Sequence, residues 1–247
     1  MKVVMLQDWH GVSESVDRQV ELIPRYVDGS ERVRILHEPI CDELVNDGSS
    51  GVINLNANTE ESLWYYLDLE HNWGPADAYR RFYRFIYDMA KAGKPAIELG
   101  PLDNDLRERN DLATEFKDLV LDYRKGIDAK DRERQSRRFD RLKRNLSFMR
   151  ESGFCERIDD TKYAEASPDT VIVITHPAHI DRCASYLART QEYRVEIAEV
   201  DPELVKELGA KEDEIQLNFA KDRDVLSMRS PPPIVPVVTL AWTEVKF

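Results

Sequence analysis

The chain is poor in the residues that staple or metallate small folds: among 247 residues there are three cysteines and five histidines. Cys41, Cys155 and Cys183 are odd in number, far apart and free of any C-x-x-C pair. That argues against a disulfide framework and a thiolate zinc site, and it suits a reducing compartment. Nowhere does the sequence approach the roughly 18 uncharged apolar residues of a membrane span. The opening MKVVMLQDWHG has too short an apolar run for a secretory signal and lacks a small-residue cleavage site. A cytoplasmic chain with no membrane partner is expected. Positive charge is also scarce: 35 Lys and Arg stand against 47 Asp and Glu, a net charge of −12. Such a balance repels phosphate backbones, so nucleic acid is not expected as a partner. With 42% apolar and 33% charged residues the composition is that of a folded globular chain, not a disordered one.

What is present alternates. KVVML (2–6), RVRILHEP (32–39), KPAIELG (94–100), TVIVIT (170–175) and YRVEIAEV (193–200) read as strands, short and rich in β-branched residues. GVINLNAN (51–58) is a further, shorter candidate, and the proline-led C-terminal stretch ends in an edge strand. Helices are expected over 15–27, capped by Ser13 or Ser15 and kinked or ended by Pro24, and over the aromatic stretch 60–92, divided at Gly74-Pro75. Residues 181–191 form another helix, and 202–209 a short one stopped by Gly209. Charges at helical spacing dominate 103–152, with Gly126 as the break between two helices. Strands alternating with helices predict one α/β domain over 1–247: a largely parallel or mixed sheet flanked by helices, with a charged helical insertion at about 103–152.

Ionisable groups gather where the strands stop. Asp8 and His10 follow the first, His37 and Glu38 close the second, Glu98 lies in the third, and His176 and His179 follow the fourth. In a parallel sheet the carboxyl ends converge on one rim, where α/β folds place their chemistry. One histidine after a strand is more often a satisfied structural residue, and Asp8 alone is explained by helix capping. Three strands ending this way are harder to attribute to packing. Imidazoles with carboxylates suit a divalent metal that keeps a position open for water, or an imidazole acting as general base with a carboxylate orienting it. His71 reads as a surface or packing residue, the stripe Tyr79, Phe82, Tyr83 and Ile86 as core, and RERQSRRFDRLKRN (132–145) as a solvated face from which Arg144 can turn inward.

The order QDWHG after the first strand, Glu38 in RILHEP, RNLSFM (144–149) and VIVITHPAH resembles the superfamily of erythromycin-esterase-like, haem-binding ChaN-like and TraB/Tiki-type proteins. In this resemblance His10 stands at the histidine of a GExH-type motif, with Gln7 and Asp8 in place of its Gly and Glu. Arg144 and Asn145 fall on the Arg-Asp/Asn-x-x-Met stretch, and His179 on the histidine of GxxH, with His176 replacing the Gly. It covers residues 1–45 and 140–190, and it implies an α/β core with a large helical complement and a cleft built from the strand ends.

The resulting expectation is a metal-assisted hydrolase acting on a small molecule or peptide. His10, Glu38 and His179 hold a divalent metal ion or activate water, and His176 is an additional ligand or base. Asp8 orients His10, and Arg144 stabilises a developing oxyanion. Two alternatives stay open. In one, the same histidines bind haem or an anion without turnover. In the other, the chain is an interaction scaffold whose charged helical segment and aromatic stripe contact a partner chain. A homo-oligomer would use the aromatic helices and the proline-led C-terminal strand as contacts.

Overall fold

The computed structural model describes residues 1–38, 52–66, 76–93, 95–102, 129–164, 166–190 and 192–227. Six strands form one sheet: β1 (Lys2–Gln7), β2 (Arg32–His37), β3 (Ile53–Asn54), β4 (Ala96–Pro101), β5 (Thr170–Thr175) and β6 (Arg194–Ile197). Their order is β3-β4-β2-β5-β1-β6. Every neighbouring pair is parallel except β3–β4, which is antiparallel. The described helices are α1 (Ser13–Val27), α2 (Glu60–Tyr66), α3 (Ala76–Lys91), α4 (Ala129–Lys162), α5 (Pro177–Arg189) and α6 (Pro202–Ser227). This is the expected α/β class. No helix among the described residues is long and apolar enough to cross a membrane.

Both faces of the sheet are covered, which is why its inner strands read as unbroken apolar runs. Alternate residues go to opposite faces. Val4, Leu6, Ile172 and Ile174 join Ile23 of α1 and Tyr79, Phe82, Tyr83 and Ile86 of α3 on one side. Val3, Met5, Val171 and Val173 pack against Phe154, Cys155 and Ile158 of α4 and Cys183 and Leu187 of α5 on the other. A third cluster, Trp9, Val12 and Leu208, seats α6 on the turn that follows β1.

Several expected boundaries move. Helix α1 runs through Pro24 to Val27, because Ile23 and Val27 are buried on either side of it and that burial outweighs one missing hydrogen bond. Its N-cap is Val12, with no side-chain cap; Ser15 instead accepts the Trp9 N–H at 3.1 Å. Helix α5 begins at Pro177, a residue suited to a first helical position. Helix α6 passes through Gly209, since an interior glycine costs only about 1 kcal/mol and Leu208 lies in the third cluster, with Ile215 packed against it. The charged insertion continues past 152 as part of α4, and β3 shrinks to two residues. Glu98 is not at a strand end: it sits mid-β4, paired across the sheet with Arg34 at 2.6 Å. Gly126, His71, Cys41 and the C-terminal edge strand lie outside the described residues.

Strand β5 lies between β2 and β1 and is buried throughout, so truncating it removes packing from both layers. Ile172→Ala should lose about 2–5 kcal/mol in urea unfolding, whereas Ile197→Ala on the half-exposed edge strand β6 should lose far less. Equal losses at the two positions would contradict this layering.

Candidate active site

Parallel register fixes which strand ends meet. Gln7 of β1 lies beside Thr175 of β5, and His37 of β2 beside Ile174. The residues just beyond are tied into the same rim: the Asp8 N–H donates to the Thr175 carbonyl at 2.9 Å, and the Glu38 N–H to the Ile174 carbonyl at 3.0 Å. After Asp8 the chain reverses through a turn closed by Val12 N–H on the Trp9 carbonyl. Gly11 takes φ +77° there, a conformation that a side chain disfavours. The reversal brings the His10 ring back over the rim.

Asp8 has no exposed surface. Its Oδ2 faces His10 Nδ1 at 3.0 Å and accepts the Tyr79 hydroxyl at 3.0 Å, while Oδ1 accepts Gln19 Nε2 at 2.9 Å. His37 Nε2 lies 3.7 Å from Oδ2, and its Nδ1 meets the Tyr83 hydroxyl at 2.8 Å. Glu38 forms the second hub. Its Oε2 accepts the Thr175 hydroxyl at 2.6 Å and the His176 N–H at 2.9 Å. Its Oε1 pairs with Arg150 and stands 3.6 Å from His10 Nε2.

The remaining two histidines each have a carboxylate of their own. His176 caps α5, its Nδ1 accepting the Ala178 N–H at 3.2 Å. Its Nε2 faces Glu212 Oε2 at 3.1 Å, and the other oxygen of Glu212 accepts the His10 N–H at 2.7 Å. His179 Nδ1 faces Glu151 Oε1 at 3.2 Å, and Arg182 pairs with the second oxygen of Glu151 at 3.1 Å. Ring centroids of His10 and His176 are 5.5 Å apart, and those of His176 and His179 6.4 Å.

The electrostatics follow from burial among partners. Desolvation opposes the Asp8 and Glu38 carboxylates. For Asp8, the bond to His10 and the nearness of His37 outweigh it; for Glu38, the charge of Arg150 and the contact with His10 do so. Both carboxyls are held well below their ordinary range. Desolvation likewise opposes a charged His10, but the Asp8 and Glu38 carboxylates on its two sides push its pKa up to about 10. His10 is therefore an imidazolium at neutral pH. Burial, with the Asp8 charge adding to it, lifts the Tyr79 hydroxyl well above its usual value, so Tyr79 stays a donor.

Asp8, His10, Glu38, His176 and His179 thus come together on one rim. Arg144 does not: its side chain is exposed on α4, and the arginine on Glu38 is Arg150. Six residues separate the two, about 240° around a helix, so both cannot face the sheet. The sequence reading also passed over Glu151, Thr175 and Glu212. A signal exists for the first, since Glu151, Phe154, Cys155 and Ile158 share a face at helical spacing just beyond the charged stretch 132–145. Glu212 was lost when α6 was ended at Gly209, although Leu208, Glu212 and Ile215 carry the same spacing.

As arranged, these donors do not fit the expected metal ion. Glu38 already holds a guanidinium, a hydroxyl and a backbone N–H, and His176 spends its Nδ1 lone pair on Ala178. Among the described residues no group of three His, Cys, Asp or Glu side chains is placed to hold a metal ion. No family model, curated protein or solved structure matches the chain.

The charged state of His10 has a consequence for stability. The folded value lies above the unfolded 6.5, so the contribution is full below pH 6.5 and is lost as pH rises towards about 10. Thermal melts should show the stability advantage of the wild type over His10→Gln shrinking across that interval. A gap constant from pH 6 to pH 10 would contradict the ion-paired imidazolium.

Proposed function

We propose that the chain is a hydrolase whose site is the histidine–carboxylate rim and whose acid–base chemistry is carried by its own side chains. The supporting observation is that three imidazoles, each set against a separate carboxylate, and one guanidinium meet at the carboxyl ends of β1, β2 and β5. In this reading Glu151, 3.2 Å from Nδ1, orients the His179 ring, and His179 serves as the general base. The positive charges of Arg150 and the His10 imidazolium stabilise the oxyanion that forms when His179-activated water adds to a carbonyl. The ring edges of His10 and His176 are the partly exposed ones, with side chains 11% and 15% accessible. They are therefore the groups an ester or amide of a small molecule or peptide meets first.

Anion binding without turnover is the second reading, favoured by the pairing of Arg150 and His10 on one carboxylate. A panel of aryl esters and aryl amides separates the two. The wild type should turn over at least one of them, and His179→Ala, with an unchanged circular dichroism spectrum, should lose about 10²–10⁴-fold in kcat. Absence of turnover across the panel, or full activity in folded His179→Ala, would overturn the hydrolase reading.

A further inference from the structure

We propose that Cys155 and Cys183 form a reversible disulfide that ties α4 to α5 one helical turn away from the Glu151–His179 pair. Glu151 and Cys155 are four residues apart on α4, and His179 and Cys183 are four apart on α5, so each helix presents the two groups on one face. The helix interface therefore carries two rungs: a carboxylate–imidazole contact at 3.2 Å, and a thiol–thiol contact beyond it. The position of Cys183 is fixed independently of that contact. Its Sγ lies 3.8 Å from the Glu151 carbonyl oxygen, the acceptor for the Cys155 N–H in the repeat of an α-helix. Both cysteines are free and buried, at 4% and 2% exposure, inside the core cluster that includes Phe154, Ile158 and Leu187.

The oxidant is a small peroxide, the class able to enter such an interface. One thiolate displaces hydroxide from hydrogen peroxide and becomes a sulfenic acid. The second thiolate attacks that sulfur and expels another hydroxide, and the S–S bond forms. The two thiol protons convert both hydroxides to water; the thiols lose two electrons and the peroxide gains them. Contact with Cys155 and burial both push the Cys183 thiol up, so reaction awaits transient opening of the α4–α5 contact. A dithiol reductant reverses it.

This inference does not rest on the hydrolase reading, and its test reads no activity. The full chain carrying Cys41→Ser, which removes the third thiol, is incubated with hydrogen peroxide with and without mild urea, then digested without reduction. A cross-linked peptide pair containing Cys155 and Cys183, lighter by two hydrogens and released by dithiothreitol, is expected. Oxidation should also raise Tm and shift the His179 ring resonances, and neither Cys183→Ser nor Cys155→Ala in the same background should respond. Separate sulfinic acids at the two positions, links only between chains, or two unreacted thiols even in mild urea would each overturn the proposal.

Discussion

Two buried carboxylates at neighbouring strand ends set the terms for the rest of this structure. An ionised carboxylate withdrawn from water costs several kcal/mol unless donors surround it, and Asp8 and Glu38 are almost wholly enclosed. Asp8 draws its donors from the turn after β1, from α1 and from α3: His10, Gln19 and Tyr79. Glu38 draws its own from β5, the α5 cap and α4: Thr175, His176 and Arg150. Helices on both faces of the sheet therefore end their packing on the same two anions. Removing one donor would strand a buried charge, which is far more damaging than losing a surface ion pair.

The network also explains why four of the chain's five histidines occupy one rim. Each imidazole serves two sites at once. His10 bridges Asp8 and Glu38, His176 caps α5 while touching Glu212, and His179 joins the first turn of α5 to α4. Glu212 closes the arrangement from above, because the apolar seat of α6 on Trp9 and Val12 carries it to His10 and His176. Packing and polar contacts specify the same geometry here, and that agreement holds titratable groups in fixed orientations.

How much of this was legible depended on the kind of signal. Short, largely apolar runs rich in β-branched residues mark β1, β2 and β5, and a parallel arrangement makes their ends converge, so Asp8, His10, Glu38, His176 and His179 could be picked from the residues alone. Helix limits were harder. Gly209 and Pro24 are local stop signals, and both were overridden by burial of neighbours that only the tertiary structure reveals: Leu208, Ile23 and Val27. Losing the far half of α6 lost Glu212 as well. Arg150 was hidden differently. It lies in a charge-rich segment, and nothing local separates a charge that faces water from one that faces an anion across the sheet. Motif order favoured Arg144, yet helical phase put Arg150 on Glu38.

His10 is a cation clamped between Asp8 and Glu38, and histidine ¹⁵N resonances report it directly. Selectively labelled protein should show both His10 nitrogens protonated from pH 6 to pH 8, losing a proton only as pH approaches about 10. A His10 that titrates near the ordinary imidazole value of about 6.5, or sits as a neutral tautomer at pH 7, would contradict the account.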